Sequence, residues 1–195
     1  MVATSFSVLD ANIRSSAEAA TEFVDWYYPA LNSGKSVVSG YINNNVRYKE
    51  AGHAPADICV NGIVVPTPDE WDSMLEKQRY TAITSKNTVH YIVESYDVHV
   101  INPDYRFAAP ADLLPPTSGL ESQRARENKR LEGVRIVMML TVSGTVHFGT
   151  DAKDPVLKQH FNDVFILVPN WDVLSRAGSR ATRRYLISSH TYRAY

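Results

Sequence analysis

A chain of 195 residues with 44% hydrophobic and 21% charged side chains has the length of one domain and enough apolar content to bury a core without disulfides or metals. The formal net charge of -1 excludes a globally basic nucleic-acid binder. The single cysteine, Cys59, excludes an internal disulfide and a cysteine-built zinc site, and suits a reducing compartment. No apolar run approaches the roughly 18 residues of a membrane helix, and the opening residues lack the charged start and apolar stretch of a secretory signal. A soluble intracellular protein with no membrane association is expected.

The first element is a helix from Asp10 to Leu31. Ala20, Phe23, Val24, Tyr27 and Leu31 recur at three- and four-residue spacing and share one face. Asp10 is placed to cap its start and Gly34 to end it, with Pro29 kinking the last turn. A short helical piece follows over Ser36–Ile42. Residues 57–65 form two β-branched arms around Asn61-Gly62, the strongest short hairpin signal, because both residues accept positive φ. Thr67-Pro68-Asp69-Glu70 is a capping box with proline at the first helical position, and it predicts a helix continuing through Trp71, Met74, Leu75 and Gln78.

Four long strands are expected next: 89–101, 134–148 with a bend or bulge at Gly144, 160–168 and 184–195. Two insertions interrupt them. Residues 102–133 combine four prolines with a charged stretch, and residues 170–183 form a basic, glycine-containing loop. Helices followed by antiparallel strands make an α+β layout in one domain spanning 1–195.

Several strings in this order resemble the nuclear transport factor 2-like family. Phe161-Asn162-Asp163-Val164-Phe165-Ile166-Leu167-Val168-Pro169 looks like its penultimate strand, F-x-x-x-F-x-L-x-P. Tyr185 to Arg193 looks like its closing Y-x-I-x-x-D-x-F-R, with His190 where an acid is usual and Tyr192 in place of phenylalanine. Val142-Ser143-Gly144-Thr145-Val146, Ser95-Tyr96-Asp97, Val60-Asn61-Gly62 and Phe23 to Leu31 match the family's remaining patterns in sequence order. The resemblance implies a cone-shaped fold, with N-terminal helices packed on a curved antiparallel sheet.

The long insertions are similar to those of the small subunit of the fungal messenger-RNA export receptor. That resemblance implies a non-catalytic subunit without a cofactor, heterodimerising through its sheet with the related domain of a larger receptor. It also implies contact with phenylalanine-glycine nucleoporins, RNA and pre-ribosomal large subunits, and a location in the nucleus and at the nuclear pore with shuttling to the cytoplasm.

An open apolar sheet face predicts a partner. Its candidates are Tyr91, Met138, Leu140, Phe165, Leu167, Tyr185, Ile187 and Tyr192, with core as the plainer assignment for half of them. By the resemblance, Arg193 reaches across to an acid on the partner, a role suited to a planar guanidinium that stays charged when desolvated. RNA contact is assigned to Arg124, Arg126, Lys129 and Arg130 in the first insertion, near Arg135, and to Arg176, Arg180, Arg183 and Arg184 in the second; a solvated helical face is the alternative for the first group. Two other functions stay open. One is a homodimeric carrier of a small GTPase. The other is an isomerase or dehydratase of the same fold, using a base among Asp25, His90, Asp97 and His99. The sequence has no phosphate loop, dinucleotide fingerprint, H-E-x-x-H or G-x-S-x-G motif.

Overall fold

The computed structural model describes residues 2–79, 88–115, 120–149, 157–174 and 183–195. Helix α1 runs from Val2 to Asn32, so Asp10 lies inside it and caps nothing. The residues ahead of Asp10 contain no glycine or proline to stop the helix earlier. Pro29 falls in the last turn, where few backbone bonds remain to be lost, and the helix continues through it. Gly34, at φ 68°, ends it, and Lys35 N–H reaches back to the Ala30 carbonyl at 2.9 Å; this bond satisfies one of the last carbonyls of the helix.

Residues 36–44 form two 3-10 turns, Val38–Gly40 and Ile42–Asn44, and a short helix α2 spans Val46–Glu50. Strands β1 (Asp57–Val60) and β2 (Ile63–Val64) make the expected hairpin, with φ of 51° at Asn61 and 84° at Gly62. Helix α3 spans Pro68–Arg79, and Thr67 Oγ1 accepts from Glu70 N–H at 3.2 Å. The long strands are β3 (Thr88–Asn102), β4 (Val137–Gly149), β5 (Leu157–Pro169) and β6 (Tyr185–Ala194).

They form one sheet in the order β2-β1-β6-β5-β4-β3. The sheet is antiparallel, as expected, except that β1 runs parallel to β6. The hairpin signal fixes how β1 meets β2, but it carries no information about the neighbour on the other edge. At Gly144 the β3–β4 register slips between Val93 and Ser95. A Cβ at Gly144 would overlap the Ile92 carbonyl oxygen and crowd the Phe161 ring, so glycine permits the bulge through close backbone approach.

The first insertion is tied down. Arg135, only 9% exposed, donates from Nε to Asp104 Oδ1 at 2.9 Å and from Nη1 to the Leu113 carbonyl at 3.1 Å. Trp171, opening the short helix α5 (Trp171–Leu174), stacks on Tyr105 and donates to the Phe107 carbonyl at 2.9 Å. Leu113 and Leu131 are buried beneath the insertion. Helix α4 (Glu121–Arg130) stands out from this base.

Candidate functional site

Side chains alternate between the two faces of a strand, and burial identifies the covered one. Along β4, Met138, Leu140, Val142 and Val146 are buried while Met139, Thr141, Ser143 and Thr145 are half-buried. The same alternation puts Phe161, Asp163, Phe165 and Leu167 of β5 on the inner face, under Phe23, Tyr27 and Tyr28 of α1. All eight apolar positions expected to meet a partner are therefore core. Tyr91, Met138, Leu140, Phe165, Leu167, Tyr185, Ile187 and Tyr192 are each at most 6% exposed within this chain. The aromatic face of the sheet needs no second molecule, because α1 and α3 already cover it.

The open face is the alternate row. Its centre holds Met139, Thr141 and Ser143 of β4, and Val164, Ile166 and Asn162 of β5. Beside them on β6 stand Ser189 and Thr191. These are small or modestly apolar groups, half-buried and without a covering layer among the described residues. Arg193 is on this face, opposite Asn162, which in turn donates to Ser143 Oγ at 3.1 Å. It is exposed and has no acidic partner among the described residues. One end of the face is basic, with His90 opposite His147 and His147 opposite Lys158. Towards the other end Asp97 and His99 pair at 3.1 Å in solvent.

The basic residues divide differently from expectation. Arg183 lies over the Trp26 ring at 4.3 Å and donates to Ser39 Oγ at 2.8 Å; its desolvation lowers its pKa. Arg184 forks onto Glu22 at 2.9 and 3.0 Å, with Glu18 at 3.8 Å. Both therefore fasten the chain to α1 and are not free to follow a phosphate backbone; this corrects their assignment to RNA. Arg176 and Arg180 lie outside the described residues. On α4, Arg124, Arg126 and Lys129 are exposed and make no ion pair with another described residue; Arg130 belongs to the same helix, its side chain outside the description.

Among the described residues the interior beneath α1 is packed with side chains. Phe23, Tyr27, Tyr28, Tyr91, Phe161, Phe165 and Tyr192 fill it with stacked and edge-on rings. Several polar groups among them satisfy one another: Tyr28 donates to Asp163 Oδ2 at 2.7 Å, His190 Nε2 bonds Asp163 Oδ1 at 2.8 Å, and Tyr41 Oη meets His190 Nδ1 at 2.9 Å, while the Tyr91 hydroxyl is buried without a partner. Burial, reinforced by the Asp163 charge, holds the Tyr28 hydroxyl well above its ordinary pKa. Of the four candidate bases, Asp25, Asp97 and His99 are exposed and His90 is on the open face; none enters this interior. His190, in place of the family's usual acid, is used as the hydrogen-bonded mate of Asp163.

The fold recurs in solved structures. A structure described as "Structure of Mtr2" is 50% identical, covering 93% of this chain and 99% of that one at a TM-score of 0.74. The chain belongs to the Mtr2 family. Two further Mtr2 matches come from complexes, both 53% identical with the same coverage. One is a Sac3N peptide bound to Mex67:Mtr2, at a TM-score of 0.78. The other is the Chaetomium thermophilum Mex67 NTF2-like domain complexed with Mtr2, at 0.77. No protein-family model matches the chain, and no significant match is found among curated proteins. Membership in the Mtr2 family accords with the α+β, NTF2-like architecture described above.

Proposed function

We propose that this chain is the non-catalytic small subunit of a nuclear mRNA export receptor, pairing through its open sheet face with the NTF2-like domain of a Mex67-type large subunit. The observation that carries this reading is the 53% identity, across 93% of the chain, to a protein seen in complex with that domain. The geometry supports it. A six-stranded sheet with one face packed by its own helices leaves the other, centred on Met139, Thr141, Val164 and Ile166, available to a second sheet, and such interface centres are depleted in charge. Arg193 at the margin of that centre is exposed, without an acidic partner among the described residues, and its guanidinium suits a bidentate acid on the partner. The filled interior argues against an isomerase.

In this reading the pair carries mRNA and pre-ribosomal large subunits through the nuclear pore, meets phenylalanine-glycine nucleoporins there, and shuttles between nucleus and cytoplasm. RNA contact falls to α4, whose exposed Arg124, Arg126 and Lys129 make no ion pair with another described residue, and not to Arg183 or Arg184.

Co-expression with the large subunit's NTF2-like domain tests the pairing. The expected result is a stable one-to-one complex, weakened by Arg193→Glu by at least about 100-fold, since a buried arginine–acid pair broken on one side costs about 3–5 kcal/mol. Recovery of this chain only as a monomer or homodimer, with the large subunit's domain present in excess, would refute it.

A further inference from the structure

The open face is unevenly charged. His90, His147 and Lys158 are direct cross-strand neighbours on β3, β4 and β5, and backbones at such positions lie about 4.5–5.5 Å apart. The next outward residue of β5 is His160, and two further on, opposite Asn162, comes Arg193. Five side chains that are or can become cationic thus gather at one end of the face. The acid facing them from the described strands is Glu94, which accepts from Thr145 Oγ1 at 2.5 Å. Like charges placed directly opposite one another across strands are destabilising, so the cluster is unfavourable in the isolated chain. On the same rung, His147 Nδ1 is buried without a hydrogen-bond partner, an arrangement that costs free energy. Desolvation, with Lys158 and His90 adding repulsion, also disfavours the charged form of His147.

We infer that this end of the open face, built on the His90–His147–Lys158 rung, receives an acidic segment of the partner subunit, at least one carboxylate seated over His147 and Lys158. The inference rests on the pairing proposed above and adds the chemistry of one end of that interface. Protein carboxylates suit the site better than RNA phosphates for two reasons. The rung is continuous with the half-apolar centre of the face around Val164 and Thr145, and His147 is already partly desolvated, as at an interface and unlike the wet track of a phosphate backbone. A carboxylate oxygen accepts from an imidazole N–H and from an ammonium together, which offsets the positive charge gathered there.

The test is the dissociation constant of the complex with the large subunit's NTF2-like domain, measured at about 0.1 M salt for the wild-type chain, Lys158→Glu and His160→Glu. Both residues are exposed, so neither change disturbs the core, and Lys49→Glu on exposed α2 is the control. Each reversal on the face is expected to weaken pairing by about tenfold and the pair of them by more, with the loss shrinking at 0.5 M salt as exposed charges are screened. The control should leave affinity unchanged. Wild-type affinity in Lys158→Glu would overturn the inference while leaving the pairing intact. So would undiminished pairing accompanied by weaker binding of a single-stranded 20-nucleotide RNA, which would make this end a phosphate site. Failure of the wild-type chain to pair at all would instead remove the pairing itself, and this inference with it.

Discussion

Replacing Asp163 with alanine tests how the inner layer is held. The carboxylate is 1% exposed and takes two hydrogen bonds, from Tyr28 Oη at 2.7 Å and His190 Nε2 at 2.8 Å. Tyr41 Oη meets His190 Nδ1 at 2.9 Å, so the four groups form one hydrogen-bonded network. Alanine strands two buried donors, each costing about 1–3 kcal/mol when unpaired. The expected loss is therefore about 2–6 kcal/mol, or roughly 4–24 °C in Tm at about 2–4 °C per kcal/mol for a chain of this size. Urea unfolding of the isolated chain, followed by tryptophan fluorescence, measures it. An unchanged m-value would show that the midpoint reports stability. Tyr28→Phe supplies the sharper check. In the native background it removes a useful donor and costs about 1 kcal/mol. With Asp163→Ala it removes an orphan, and should be neutral or stabilising. A loss below about 1 kcal/mol in Asp163→Ala, or equal costs of Tyr28→Phe in both backgrounds, would refute the reasoning.

Gly144→Ala should destabilise by about 1–3 kcal/mol, because its Cβ meets the Ile92 carbonyl and the Phe161 ring in a packed bulge; a urea midpoint within error of wild type would show that the bulge relaxes freely. Reversing Arg124, Arg126 and Lys129 to glutamate should lower RNA affinity of the heterodimer by at least about tenfold and flatten its salt dependence, while pairing is spared. Filter binding at several salt concentrations reads this, and an unchanged slope would move the RNA role elsewhere.

Local chemistry made much of the fold legible. Asn61-Gly62 and the Thr67 capping box act within a few residues, and both formed as read. The faces of the sheet were harder. Along β4 the polar members Thr141, Ser143 and Thr145 mark the open side plainly. On β5, however, the inner row carries Asp163 and the outer row carries Val164 and Ile166, so period two alone gives no clean polarity there. The missing information was tertiary: Asp163 is tolerated inside because Tyr28 and His190 arrive from residues far along the chain. Charge was misleading for the same reason. Nothing local to Arg184 announces Glu22, more than 160 positions earlier, and composition alone counted a tethered arginine as a free one. Arg193 sits on the open face, as its assigned role requires.

The parallel pairing of β1 with β6 also bears on how the protein is made. Residues 57–60 must wait for residues 189–192 before they gain that neighbour, and β6 also flanks β5 near the middle of the sheet. Until that strand has left the ribosome, Trp71 lacks His190 and Tyr192 against its ring, and Ile58 lacks its strand neighbour. Folding is thus deferred until residues 189–192 have been made, and contacts so distant along the chain form slowly. The nascent polypeptide meanwhile presents sticky aromatic surface to its surroundings, which makes chaperone demand during synthesis a built-in cost of this strand order.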